Sequence, residues 1–328
     1  MKSRTVVART IGIAVTAVLV SFAVVNASGA SGEATPDSNL TFTVPAAPGG
    51  GWDLAAREAQ QAMRVEGLSG NVQVVNVPGA GGTIGLSQFV SVPGDPTALM
   101  LTGTVMEGAI ITNGSSATLA DTTPIARLAN DYEVVIVPAG SPFQTLQEFI
   151  EAWRADPHGM AVGGGGIGGT DQLLAGLLMQ ATDIDPAELN YIAYSGGGEV
   201  LTSLLSRTVD VGISGYNEFS DQIEAGNLRA LGLSAQEPID GIDVPTFIEQ
   251  GIDVELPNWR GVVAAPGLSE AERDALVDIV TRLSESDAWQ DTLRRNSWTD
   301  SFLAGDDFAA FLEEDQARIA DIIEELGL

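Results

Sequence analysis

The sequence contains no cysteine. Disulfide cross-links, thiolate nucleophiles and cysteine-ligated metals are thereby excluded, as is the lipid-attachment cysteine that tethers many exported binding proteins. Histidine occurs once, at His158, in the turn-like stretch Asp156-Pro157-His158-Gly159. A serine triad would have to recruit that one imidazole. Lysine also occurs once, at Lys2, so a phosphate-binding P-loop, which needs a lysine after its last glycine, is absent. Basic charge is scarce throughout, with 15 basic residues against 44 acidic ones and a net charge of −29. A surface of that sign repels nucleic acid and anionic membranes, which excludes both as partners. The acids show no EF-hand spacing, so neither a metal nor a cofactor is expected.

Long apolar runs are equally rare. One, Ile11 to Val25, follows Lys2, Arg4 and Arg9 and precedes the small residues Ser28-Gly29-Ala30. This is the pattern of a secretory signal peptide over residues 1–30, cleaved after Ala30, and the run is short for a spanning helix. Cleavage would move the net charge from −29 to −32. The expected location is the periplasm or the outer face of the cell membrane.

What remains is a long, well-furnished globular chain. Its 328 residues, 45% hydrophobic, exceed what one core usually serves and predict two domains. From Leu40 onward, short β-like runs alternate with amphipathic helices, which predicts an α/β fold. Strands are expected at Leu40 to Val44, Val72 to Val77, Ala98 to Thr102, Glu133 to Val137, Met160 to Val162, Leu189 to Ile192, Val209 to Ile213, Ala230 to Leu233 and Trp259 to Ala264. Helices are expected at Asp53 to Val65, Thr83 to Val90, Thr145 to Ala155, Asp171 to Ala181, Glu199 to Leu205, after Ser269, and from Asp306 to Leu326. Thr145 with Glu148, and Ser269 with Glu272, read as capping boxes. No linker divides the chain, so the domains are expected to be joined by strands crossing near Glu133 to Val137 and Glu255 to Trp259. One lobe would then hold residues 40–133 and 256–328, the other residues 134–255.

The 38 glycines are clustered, and four clusters share one grammar of strand, glycine-rich turn and helix. They are Pro48-Gly49-Gly50-Gly51-Trp52-Asp53, Pro78-Gly79-Ala80-Gly81-Gly82-Thr83, Gly163 to Gly169 before Thr170-Asp171, and Ser195-Gly196-Gly197-Gly198-Glu199. Glycine lets the backbone approach a ligand closely, and the following helix points unpaired N–H groups and its positive dipole end into the turn. Each turn is an anion cradle that needs no basic side chain. Asp53, Thr83 and Thr170 also suit plain helix caps. Gly163, Gly165 and Gly168 fit GxGxxG, but inside a glycine run that match carries little weight for a dinucleotide site. The pairs Glu313-Glu314 and Glu324-Glu325 lie on a solvated helix face.

At these turns the sequence resembles the solute receptors of tripartite tricarboxylate transporters, the Bug receptors. The resemblance rests on Val44-Pro45-Ala46-Ala47-Pro48-Gly49-Gly50-Gly51-Trp52-Asp53 and on Asn76-Val77-Pro78-Gly79-Ala80-Gly81-Gly82. It extends through Tyr194-Ser195-Gly196-Gly197-Gly198-Glu199 and Val244-Pro245-Thr246 leading to Gly251. The ending, Trp298-Thr299-Asp300 through Leu326-Gly327-Leu328, is similar to the branch described as tricarboxylate receptors. The resemblance implies a two-domain periplasmic-binding-protein fold of type II, each lobe a mixed sheet flanked by helices, with the ligand in the cleft between lobes. The first two turns would hold a ligand carboxylate through backbone N–H groups and bridging waters, faced by the turns near Thr170 and Ser195. Two positions depart from the pattern: Gly51-Trp52 stands where many receptors carry Ser-Thr, and Arg260 where many carry an apolar residue. Arg260 would serve either a further ligand carboxylate or a neighbouring acid.

The candidate ligand-binding set is therefore Gly49, Gly50, Gly51, Trp52 and Asp53; Gly79, Ala80, Gly81, Gly82 and Thr83; Gly169, Thr170 and Asp171; Ser195, Gly196 and Gly197; and Ser214, Tyr216 and Arg260. The implied ligand is a small organic acid, a citrate-like tricarboxylate, delivered by a monomeric receptor to a two-subunit membrane permease and in some systems to a sensor kinase. The alternatives are a ligand-sensing partner of a signalling kinase and an enzyme on the same fold. The sequence lacks a nucleophile–base pair for the latter.

Overall fold

The computed structural model describes residues 35–328. The expected signal segment, residues 1–30, lies outside them. No helix among the described residues is long and apolar enough to cross a membrane.

In β1 (Leu40–Val44) the burial alternates, with Leu40, Phe42 and Val44 turned inward, as a period of two requires. It pairs in parallel with β2 (Val72–Asn76) on one side and β3 (Ala98–Gly103) on the other. The connections are α1 (Gly51–Val65) and α2 (Thr83–Val90), as parallel neighbours demand crossover helices. A helix not expected from the sequence, α3 (Thr104–Thr112), follows β3 directly.

The chain then enters β4 (Thr123–Pro138), a 16-residue strand of which only the last third was predicted. After α4 (Leu146–Ala155), the 2-1-3 arrangement recurs: β5 (Val162–Gly164) lies between β6 (Tyr191–Ala193) and β7 (Val211–Gly215), all parallel. Their crossovers are α5 (Thr170–Ala181) and α6 (Gly197–Leu205), and α7 (Tyr216–Glu224) leads into β8 (Leu228–Leu233). The chain returns along β9 (Pro257–Ala264) and closes with α8 (Glu270–Ser284), α9 (Asp287–Arg295), β10 (Thr299–Ala304) and α10 (Gly305–Leu326).

The ten strands form one curled mixed sheet flanked by helices, ordered β2-β1-β3-β9-β4-β7-β5-β6, with β8 and β10 also paired to β4. β4 is the joint. Up to Tyr132 it runs antiparallel to β9, and from Glu133 it runs antiparallel to β7 and β8. One buried cluster gathers around β1, β3 and α8, including Phe42, Trp259 and Trp289. Two others flank the β5–β7 group, one centred on Trp153 and Phe149, the other on Phe219. The final helix serves two of these cores: Phe308 and Leu312 join the first, while Ile319, Ile323 and Leu326 pack into the Trp153 cluster.

The helix starts show how far local chemistry dictates the ends. Ser269 and Glu272 form the full reciprocal capping box. At α4 only half of the expected box forms: Thr145 accepts from the Glu148 N–H at 3.2 Å, but the Glu148 carboxylate accepts from the N–H of Gln144.

A glycine-lined cleft with a carboxyl wall

Three of the four glycine turns open one cleft from their N-terminal helix ends, and the fourth contributes Ser195 and Gly196; the cavity volume is about 720 Å³. That lies within the range of small-molecule sites. From the β1–β3 half come Gly50, Gly51 and Trp52 at the start of α1, and Gly79 to Gly82 before α2. From the β5–β7 half come Gly165, Gly166, Gly169, Thr170 and Asp171, with Ser195, Gly196 and Ser214. Arg260 on β9 lies between them.

Five candidates stand behind the lining. Asp53 is buried beneath the first turn, where its carboxylate accepts from the Gly49 N–H and from Asn76, each at 2.9 Å, and pairs with Arg57 at 2.8 Å. Burial pushes the Asp53 carboxyl up, but these partners outweigh it and hold it below the ordinary value. Gly49 therefore spends its N–H on Asp53. Thr83 donates to the carbonyl of Ala80 at 2.9 Å, bracing the second turn. Gly197 donates its N–H to Glu218 at 2.8 Å, and Tyr216 packs into the Phe219 cluster.

Two glycines are built against a neighbouring side chain. At Gly82 φ is +97°, and a Cβ there would lie 3.0 Å from the Trp52 ring, so the turn and the indole are built against each other. At Gly51 a Cβ would lie 2.6 Å from Arg260 Nη2. The missing side chain lets the guanidinium approach the turn, where Nη1 donates to the Gly51 carbonyl at 2.8 Å. The departure from Ser-Thr at Gly51-Trp52 and the arginine at 260 are thus one feature: the glycine makes room for the arginine. Arg260 is only 4% exposed. It ion-pairs with Asp131 and lies over the Trp298 ring at 4.8 Å.

Sequence reasoning named Asp171, Ser214 and Arg260 but overlooked the other members of a carboxyl wall, Asp131, Glu133 and Glu218. Asp131 and Glu133 alternate on β4, Asn258 and Arg260 on β9, so a period of two lays all four on one face. Glu133, Asn258 and Glu218 line the cleft beside Asp171 and Ser214. Asn258 donates to Glu133 Oε1 at 2.7 Å, the Gly165 N–H donates to Asp171 at 2.6 Å, and Ser214 donates to Glu218 at 3.4 Å. Burial pushes the Glu133 carboxyl well up, and the neighbouring Asp171, Asp131 and Glu218 push it further. Burial likewise pushes Asp171 up to about 7 and raises Glu218. The signal was available: Asp131-Tyr132-Glu133 and Asn258-Trp259-Arg260 place polar residues at alternate positions next to the apolar runs Val134 to Val137 and Gly261 to Ala264, which a buried strand does not tolerate without a cleft or partner.

Two groups of parallel strands joined through β4, with glycine-turn helix starts lining one cleft, make up the architecture of a periplasmic-type solute-binding protein. The chain belongs to the tripartite tricarboxylate transporter receptor family, which it matches over residues 55–328. Among curated relatives, the protein BugT of Bordetella pertussis is 25% identical over 307 residues, spanning 92% of this chain and 93% of BugT. A TctC solute-binding protein from Polaromonas superposes with a TM-score of 0.67 at 26% identity, over 89% of this chain and all of that one. MatC from Rhodopseudomonas palustris, solved with bound malate, superposes with a TM-score of 0.78 at 23% identity, over 88% of this chain and 99% of its own.

Proposed function

We propose that this protein is an exported receptor that captures a small organic di- or tricarboxylate by hinge closure and hands it to a two-subunit membrane permease. The observation that carries this reading is the convergence of the Gly50–Trp52 and Gly79–Gly82 turns on a single cleft faced by Thr170 and Ser195. The first N–H groups of α1 have no partner within their own helix, and the helix dipole adds to their pull on an anion. A carboxylate bound there receives charge-assisted hydrogen bonds, each contributing roughly 1.5–3 kcal/mol.

The lobes in this reading are residues 40–133 with 256–328, and residues 134–255. The change of partners along β4 at Tyr132 and Glu133 supports a hinge there, since few residues need alter φ and ψ to swing one half on the other. The molecule acts as a monomer, in the periplasm or on the outer face of the cell membrane, as a carrier rather than a catalyst. The malate in MatC supports an acid of dicarboxylate size. A citrate-like tricarboxylate is the larger member of the proposed class.

A thermal-shift screen of di- and tricarboxylates against the protein lacking residues 1–30 tests the reading. An acid that binds the native state alone stabilises it by about 2.7 kcal/mol at a hundredfold excess over Kd. A panel without any shift, confirmed by calorimetry, overturns it.

A further inference from the structure

The cleft is electrically two-faced. The helix starts of α1 and α2 line one half, whereas those of α5 and α6 in the other half face Asp171, Glu133 and Glu218, and Arg260 is the one cationic side chain among the described residues lining the cleft. Asp131 already offsets Arg260. Glu218 is held by the Gly197 N–H and Ser214, and Asp171 by the Gly165 N–H. So the glycine turns of the β5–β7 half, which the sequence offers as anion cradles, are partly filled by the protein's own acids. Glu133 is served least: Asn258 donates to one oxygen, while Oε2 is buried at the cleft without a hydrogen-bond partner, as are Asn258 Oδ1 and Thr170 Oγ1. Glu133 is 1% exposed and Thr170 fully buried. The charged and titratable groups facing this spot are Asp131 beside it on β4, Asp171 from α5, Glu218 from α7, Arg260 from β9, and the Tyr191 phenol from β6, which donates to the Gly165 carbonyl at 2.9 Å.

Building on the acid-receptor reading, we propose that the cleft takes up its organic acid together with a proton: Glu133 and Asp171 form a carboxyl pair that shares one proton before binding and accepts a second from solvent when the ligand's far end arrives. An incoming dianion adds two charges to a wall where Glu133, Asp171 and Glu218 already act on one another, and neighbouring buried like charges cannot all remain ionised. Protons offset the charge, and a protonated carboxyl turns the orphaned oxygen into a donor for the ligand. The high burial of Glu133 and the upward position of Asp171 agree with this arrangement. Below neutrality the receptor binds tightly, and as the pH rises it lets its acid go.

The test uses malate and citrate on the protein lacking residues 1–30. Calorimetry at pH 8, in two buffers of different ionisation enthalpy, is expected to show uptake of about one proton per bound acid, with affinity falling up to tenfold per pH unit above neutrality. Asp171→Asn is expected to cut the uptake to near zero and flatten the pH profile; Glu133→Gln serves if that variant fails to fold, and the wild-type measurement needs neither. In the ligand-free protein, infrared spectroscopy is expected to show an un-ionised carboxyl at pH 7.5 that Glu133→Gln removes. Binding without proton uptake, or a spectrum lacking that carboxyl, overturns the inference and leaves the acid receptor standing. If neither these two acids nor any other of the di- and tricarboxylate panel binds, the receptor reading fails and the inference falls with it.

Discussion

Asp131 and Arg260 stand diagonally across the β4–β9 ladder, Asp131 opposite Asn258 and Arg260 opposite Ala129, and their side chains meet as a buried ion pair at the floor of the cleft. Such a diagonal is within reach of a long side chain on one sheet face. The pair fixes β9 to β4 where β4 changes partners, so it ties the architecture to the site.

Arg260→Ala should therefore destabilise the fold before it says anything about the ligand. Removing one partner of a buried pair leaves the other charge uncompensated, at a cost of roughly 3–5 kcal/mol. The double variant Asp131→Leu with Arg260→Met should recover much of that loss, because no buried charge remains. Urea denaturation of the two singles and the double provides the cycle. Additive losses would show that the two side chains do not act as a pair.

Trp52 lines the cleft at the first turn and packs on Gly82, while Trp153, Trp259 and Trp289 are buried in the cores and Trp298 reaches the cleft only through Arg260. Binding of an acid should change tryptophan emission, and Trp52→Phe should remove most of that change. A signal of undiminished size in the variant would put the reporter elsewhere.

Much of the fold was legible in the sequence, and the gaps have physical causes. Leu40–Val44 and Thr83–Val90 form as the periodicity and turn chemistry predict. The first part of β4 was missed because Thr123 to Tyr132 mixes Pro124, Arg127 and Asn130 into the strand, and long-range pairing with β9 and β10 decides its conformation. Helix α3 was missed for the opposite reason. Thr104 to Thr112 is rich in β-branched residues, which weakens its helical signal, but packing against the second glycine turn makes it helical. At the site, the glycine turns announced themselves, being local motifs. The carboxyl wall announced itself only in part: the alternation at Asp131 and Glu133 is local, but Glu133, Asp171 and Glu218 come together only through the sheet order β9-β4-β7-β5.

The same wall predicts a pH-dependent stability. Asp171 titrates at about 7 in the fold against 3.8 for its ordinary value, and Glu133 and Glu218 are displaced in the same direction. A carboxyl whose folded value is raised binds more protons folded than unfolded, so its contribution is full below about pH 4 and is lost as the pH rises through about 7. The urea midpoint of the ligand-free protein should fall from pH 5 to pH 8, and Asp171→Asn should make the decline shallower. A midpoint that rises over that interval would show the wall to be ionised and well compensated.

Charge on the larger scale gives the last prediction. A chain carrying −29, or −32 once residues 1–30 are removed, is asked to receive an anion. Long-range repulsion opposes encounter, but its reach depends on salt: the Debye length is about 30 Å at 0.01 M and about 8 Å at physiological ionic strength. At the higher salt, distant carboxylates are screened while the N–H groups at the start of α1 still act at contact distance. Association with citrate should accordingly become faster as salt rises from low values, the reverse of ordinary electrostatic steering. The dissociation rate should change less, since the bound anion sits in a cleft that salt enters poorly. Stopped-flow traces of Trp52 fluorescence across a salt series separate the two rates. Association that slows with added salt would mean that the field at the cleft mouth is positive despite the net charge, with the helix N-termini outweighing the surface acids before contact is made.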